Sequence, residues 1–169
     1  VDSSAATLIG PPVRVLGTSF EAEGGLVPAD GSIRIAFDRY LLPITVTRQA
    51  FLVLDSSNKP VEGLKTVYDP IARSVTIYGR EGPGMSWLTP EAPYKLYLPI
   101  PEDPASNITG LRAIDRATLG KDQVLIRPFR ASSATGKVTR ERNTDFCADI
   151  LPLFLTKCSS DRCHGPAGA

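Results

Sequence analysis

Short runs of β-branched and aromatic residues, each closed by glycine, proline, asparagine or aspartate, recur along most of this chain and commit it to packed strands. Ser32-Ile-Arg-Ile-Ala-Phe37 is the cleanest: Ile33, Ile35 and Phe37 fall on one face and Arg34 on the other, the period of two of a half-buried strand. Val13–Phe20, Phe51–Asp55, Leu64–Tyr68, Ser74–Tyr78, Tyr94–Pro99 and Val124–Phe129 share that texture. Ser56-Ser-Asn-Lys-Pro60 and Asp69-Pro-Ile-Ala-Arg73 read as hairpin loops, because their polar side chains and prolines favour turns over continued strand. Fifteen prolines and fourteen glycines argue against a helical bundle. About seven evenly spaced strands predict an all-β, antiparallel β-sandwich, with a closed barrel as the alternative that pattern leaves open.

The texture changes at both ends. Residues 1–12 are small and polar, end in Gly-Pro-Pro, and read as a leader or linker. The sandwich is assigned to residues 13–130, and the Ser, Thr, Gly and charged residues of 131–144 predict a flexible linker with almost nothing to bury. After it, Thr144 or Asp145 is a suitable N-cap for a short helix. Phe146, Ile150, Leu153 and Phe154 would share its apolar face, and Pro152 limits its length. Lys plus Arg number 19 against 18 Asp plus Glu, so nothing in the charge points to nucleic acid. No apolar stretch approaches the roughly 18 residues of a membrane span.

All three cysteines lie after residue 146, so the predicted sandwich must be held by its apolar core alone. Cys158-Ser-Ser-Asp-Arg-Cys163-His164-Gly165 puts two thiols directly before the only histidine in the chain. Two cysteines followed at once by a histidine is the arrangement that tethers a c-type haem: the thiols add to the porphyrin vinyl groups and the imidazole binds the iron. The spacer between the cysteines is four residues here, where two is usual. A local disulfide is the competing reading, and Cys147 would compete for either partner. One His and three Cys also suffice by number for zinc, but their spacings fit no familiar structural zinc site.

Two stretches resemble known families. Leu26-Val-Pro-Ala-Asp-Gly-Ser-Ile-Arg-Ile-Ala-Phe-Asp38, followed by Leu42-Pro-Ile-Thr-Val46, Phe51–Gly63 and Tyr94–Leu98, resembles in order and spacing the phrases of bacterial Ig-like domains of the S-layer type. That resemblance implies an Ig-like sandwich serving as a spacer or adhesion module, with no catalytic residues. Ile150-Leu-Pro-Leu-Phe154 running into Cys158, Cys163 and His164 is similar to the first helix and attachment motif of c-type cytochrome domains in exported bacterial proteins. By that resemblance Cys158 and Cys163 are the thioether cysteines of haem c, His164 is the iron's proximal ligand, and residues 145–169 open a cytochrome domain whose body lies further on.

The remaining candidates are bland. Met85 is the only other strong haem ligand by type, but its setting, Gly82-Pro-Gly-Met-Ser-Trp87, reads as a loop or core position. Trp87 reads as a packing residue. Asp55, Asp69 and Asp103 fall in turns, where carboxylates satisfy backbone amides. Arg112, Arg116, Lys121, Arg127 and Arg130 read as a solvated face, and Asn107-Ile-Thr109 as a chance match to a glycosylation acceptor. No nucleophile elbow or phosphate loop is present, so no enzyme is expected. The sequence therefore predicts an exported Ig-like module joined to a haem c site, its parent serving electron transfer with a redox partner. The alternative is a structural module, partnered by a cell-surface component, with a local disulfide and no haem. Either places it in the periplasm, at the outer membrane or outside the cell.

Overall fold

Alternation becomes two sheets in the computed structural model of the chain, which describes residues 10–80, 85–100, 110–133 and 135. All of these belong to the first of two units, Val1–Val138 and Thr139–Ala169. The predicted C-terminal helix, Cys147, the motif Cys158, Cys163 and His164, most of the predicted leader and linker, Asp103 and Asn107-Ile-Thr109 lie outside the described residues.

Among the described residues eight strands form, against about seven predicted: β1 Val15–Thr18, β2 Leu26–Pro28, β3 Ile33–Phe37, β4 Leu52–Leu54, β5 Leu64–Asp69, β6 Ser74–Gly79, β7 Pro93–Tyr97 and β8 Ile126–Ser132. They make two four-stranded sheets, in the order β1-β3-β6-β5 and β2-β8-β7-β4. The described unit is all-β apart from one helical turn, α1 Ser19–Ala22, and a 3-10 turn at Pro43–Thr45. Both sheets contribute to one apolar core. Ile33, Ile35 and Phe37 of β3 are buried as the alternation predicts, together with Val75 and Ile77 of β6 and Leu96 of β7. Each such side chain contributes roughly 1.5–3 kcal/mol. Phe37 meets Phe51, which precedes β4 in the other sheet, edge-on with ring centroids 6.3 Å apart.

The first predicted strand does not run unbroken. After Thr18 the chain turns into α1, because Glu21 reaches back and its Oε2 accepts the Thr18 N–H at 2.8 Å, the carboxylate half of a capping box. The turn ends where Glu23 and Gly25 both donate to the Phe20 carbonyl, and Gly24 and Gly25 hold φ of 69° and 80°, which suits residues without a Cβ. Phe20, only 1% exposed, anchors the turn in the core against Phe129, ring centroids 5.2 Å apart. This detour carries the chain from one sheet to the other. Consequently β2 pairs with β8, and the pairing is parallel. The expected purely antiparallel sandwich is corrected on that point; every other strand pair is antiparallel.

β8 runs through Ser132, past the predicted end of the sandwich, and Ala131 is fully buried. Pro128 is tolerated inside this central strand because β2 faces only Arg130 to Ser132. Arg130 N–H points to β2, donating to the Gly25 carbonyl at 2.8 Å, so the missing N–H of Pro128 faces the same side where no strand residue sits opposite. Both predicted turns form, but only the second joins two paired strands; the first closes with a single bridge between Leu54 and Pro60 before the chain leaves for the other sheet. Asp55 Oδ1 accepts the amides of Ser57 and Lys59 at 2.8 and 2.9 Å. Asp69 Oδ1 accepts that of Ala72 at 3.0 Å, between β5 and β6.

The predicted solvated face is corrected in part. Arg116, Lys121 and Arg130 are exposed, but Arg112 is only 4% exposed. Its segment is held between two others: Arg112 accepts the Leu42 N–H at 2.8 Å and donates its own to Thr45 Oγ1 at 3.1 Å. Its guanidinium donates to the Arg116 carbonyl at 3.4 Å. Arg127 is half-hidden as well and pairs with Glu21.

Candidate functional site

Besides the turn aspartates and the arginines placed above, the structure describes Met85 and Trp87 among the residues that the sequence singled out. Met85 lies exposed (52%) in the loop after β6. Trp87 is partly buried, packs on the core and donates its indole N–H to the Gly31 carbonyl at 2.7 Å, which fits the packing role expected of it. Cys158, Cys163 and His164 fall outside the described residues. Among the described residues no group of three or more His, Cys, Asp or Glu is placed to hold a metal ion, and no helix is long and apolar enough to cross a membrane.

The described unit does hold a groove of about 700 Å³, within the size range of ligand pockets. It forms where the chain crosses between sheets. Residues 48–53 lead into β4 on one wall. Pro60 to Gly63 cross over, and Leu64 and Lys65 open β5 on the other wall, beside Arg80 at the end of β6. The crossover is pinned because Val61 donates to the Val53 carbonyl at 2.8 Å. It then reverses at Gly63, whose φ of 72° favours glycine and which packs against the Arg80 stem. Phe51 and Val53 are buried, while Arg48, Glu62, Lys65 and Arg80 stand exposed around the groove. Three cations against one carboxylate give the site a positive field suited to an anionic partner. No motif announced this site: its walls belong to different sheets, and its cations are spaced without pattern.

No family model matches the chain, and no curated protein matches it. Several solved structures do. The chain is similar to surface layer protein SbsC, domains 1-6, at 10% identity and a TM-score of 0.48, covering 74% of this chain and 14% of that one. It is similar to the N-terminal part of the bacterial S-layer protein SbsC at 11% identity and a TM-score of 0.47, over 72% of this chain and 24% of that one. A third is native alpha-2-macroglobulin from Escherichia coli spanning domains MG0-NIE-MG1, at 16% identity and a TM-score of 0.46, over 74% of this chain and 33% of that one. The chain thus spans a third or less of each of these structures, and at these scores none assigns it to a family.

Proposed function

We propose that the described unit is a mechanical spacer of an exported bacterial surface protein, the Ig-like module that its S-layer-type phrases imply. The observation that supports this reading is the parallel pairing of β2 with β8, the strand that closes the sandwich. A pull directed backwards along the chain from β2 and forwards from β8 drives two parallel neighbours in opposite senses. Their bonds are then loaded together in shear, not opened one at a time like a zip. The bonds in question include Arg130 N–H to the Gly25 carbonyl at 2.8 Å and Ala29 N–H to the Ser132 carbonyl at 3.0 Å. Such a role needs no catalysis, and it places the parent outside the cytoplasm, with a cell-surface component as partner.

Single-molecule pulling through handles placed at Gly24 and Ser133, which flank the β2–β8 pair, tests the proposal. One cooperative rupture is expected, at a force that falls in Arg130→Pro. That substitution removes the N–H given to Gly25 and takes no donor from β7, because the residue 130 N–H points towards β2 and away from Pro93. Equal rupture forces for parent and variant, both folding cooperatively in urea, would refute the shear reading.

A second reading concerns Thr139–Ala169 and is favoured by one feature of the sequence, the adjacency of Cys163 and His164 after Cys158. In it, Cys158 and Cys163 hold haem c by thioethers and His164 binds its iron. The haem would supply one-electron cycling to a parent protein engaged in electron transfer with a redox partner. Expression alongside the haem-attachment machinery, followed by a haem stain of the denatured chain, tests it. Covalent haem stays with the polypeptide. A colourless chain lighter by two hydrogens would establish the disulfide and leave the structural reading standing alone.

A further inference from the structure

We propose that the free edge of β5, with the groove at its start, takes an extended acidic segment of a partner protein, added beside β5 as a further strand. The reading is independent of the spacer and haem proposals, and three observations carry it.

The first is the edge. Among the described residues β5 ends its sheet, with β6 on one side and no strand on the other. Its residues make no backbone hydrogen bond outside that ladder among the described residues. Six residues of strand, about 20 Å, therefore present unpaired N–H and C=O groups, the template on which extended peptides add to sheets. The second is the groove, which receives side chains where β5 begins and is floored by buried Phe51 and Val53. The third is charge. Arg48, Lys65 and Arg80 have no ion-pair partner among the described residues. Only Glu62 offsets them at the groove. A second copy of this chain would bring the same cations to the same edge and be repelled, since like charges directly opposite across strands are unfavourable. A strand alternating carboxylates with β-branched residues meets the edge and the cations together.

The probe is a fluorescent octapeptide alternating glutamate with threonine or valine, titrated into the full chain and followed by anisotropy. Saturable binding is expected, weakening as salt rises, with hydrogen-exchange protection appearing at the amides of Leu64–Asp69. Replacing the glutamates by lysines, or N-methylating alternate peptide amides, should weaken binding by about tenfold or more; so should Lys65→Glu with Arg80→Glu. The methylated peptide keeps every charge and acts on the unaltered protein, so it separates strand addition from simple attraction. Equal affinity of the methylated peptide, equal affinity of the lysine peptide, or no saturation would each overturn the proposal. Displacement by soluble polygalacturonate as effective as by unlabelled peptide would overturn it too, in favour of an acidic polysaccharide.

Discussion

Trp87 packs where Gly79 leaves a side chain out: a methyl group at Gly79 would stand 2.5 Å from the Trp87 Cβ and 2.9 Å from its Cγ. Gly79 closes β6, and the indole N–H reaches the Gly31 carbonyl at 2.7 Å. One contact thus ties the end of β6 to the turn before β3.

Gly79→Ala should therefore destabilise the sandwich by about 1–3 kcal/mol, the usual cost of forcing an extra methyl into a packed site. Urea denaturation followed by far-ultraviolet circular dichroism, a probe that does not depend on the sole tryptophan, measures it. The cost should shrink when Trp87→Gly is already present, since the Cβ and the ring atoms that obstruct the new methyl are then all gone. An unchanged cost in that background would place the strain elsewhere.

Glu21 makes the acid limb of stability partly its own. Burial pushes its carboxyl up, but the Thr18 N–H and the Arg127 guanidinium together outweigh burial, so the net shift is downward from 4.5. A carboxylate lowered in the folded state contributes stability that is fully present above its unfolded value and is lost as pH falls through its folded value. The side chain is 42% exposed, so solvent screening keeps the contribution below about 1 kcal/mol. Glu21→Gln keeps an oxygen for the Thr18 N–H and loses the charge. It should flatten the stability–pH curve from about pH 4.5 downwards while leaving the unfolding midpoint at pH 7 within that same small margin. An unchanged acid slope would show that Glu21 is not the group titrating there.

Asp55 is the staple of the first predicted turn, holding two amides through one oxygen. Asp55→Ala should cost about 1 kcal/mol, because an exposed turn amide can turn to water in place of the lost carboxylate. Asp55→Asn, which keeps an acceptor in the same place, should recover most of it. Equal midpoints for the alanine and asparagine variants in chemical denaturation would show that backbone geometry alone holds the turn.

Much of this fold is legible wherever a local rule suffices. β3 is readable because Ile33, Ile35 and Phe37 alternate with polar or small neighbours, and the two turns because Asp55 and Asp69 carry the side-chain chemistry that turns use. β2 is not readable as a strand: Leu26–Pro28 is too short to show a period, and its partner lies a hundred residues on in sequence. α1 is hidden within a run of strand-like texture, because Glu21 capping Thr18 and the glycines after it outweigh the local β preference. Arg112 reads as surface by type and is interior by position, since burial of its backbone between Leu42 and Thr45 carries the side chain with it. The groove was illegible for a related reason: Arg48, Lys65 and Arg80 become neighbours only through the crossing from β4 to β5 and the return of β6.

The sequence by itself determined that the first unit is all-β, which side chains of β3 and β7 face inward, and where the chain reverses. These follow from side-chain period and turn chemistry, forces that act over a few residues. Only the tertiary structure decided that β2 lies parallel to β8, that β5 is left with an open edge, and that three cations gather beside it. Those outcomes depend on which sheet each strand joins. That choice is made by burying Phe20, Phe37, Phe51 and Phe129 in one shared core, and no stretch of sequence expresses it alone.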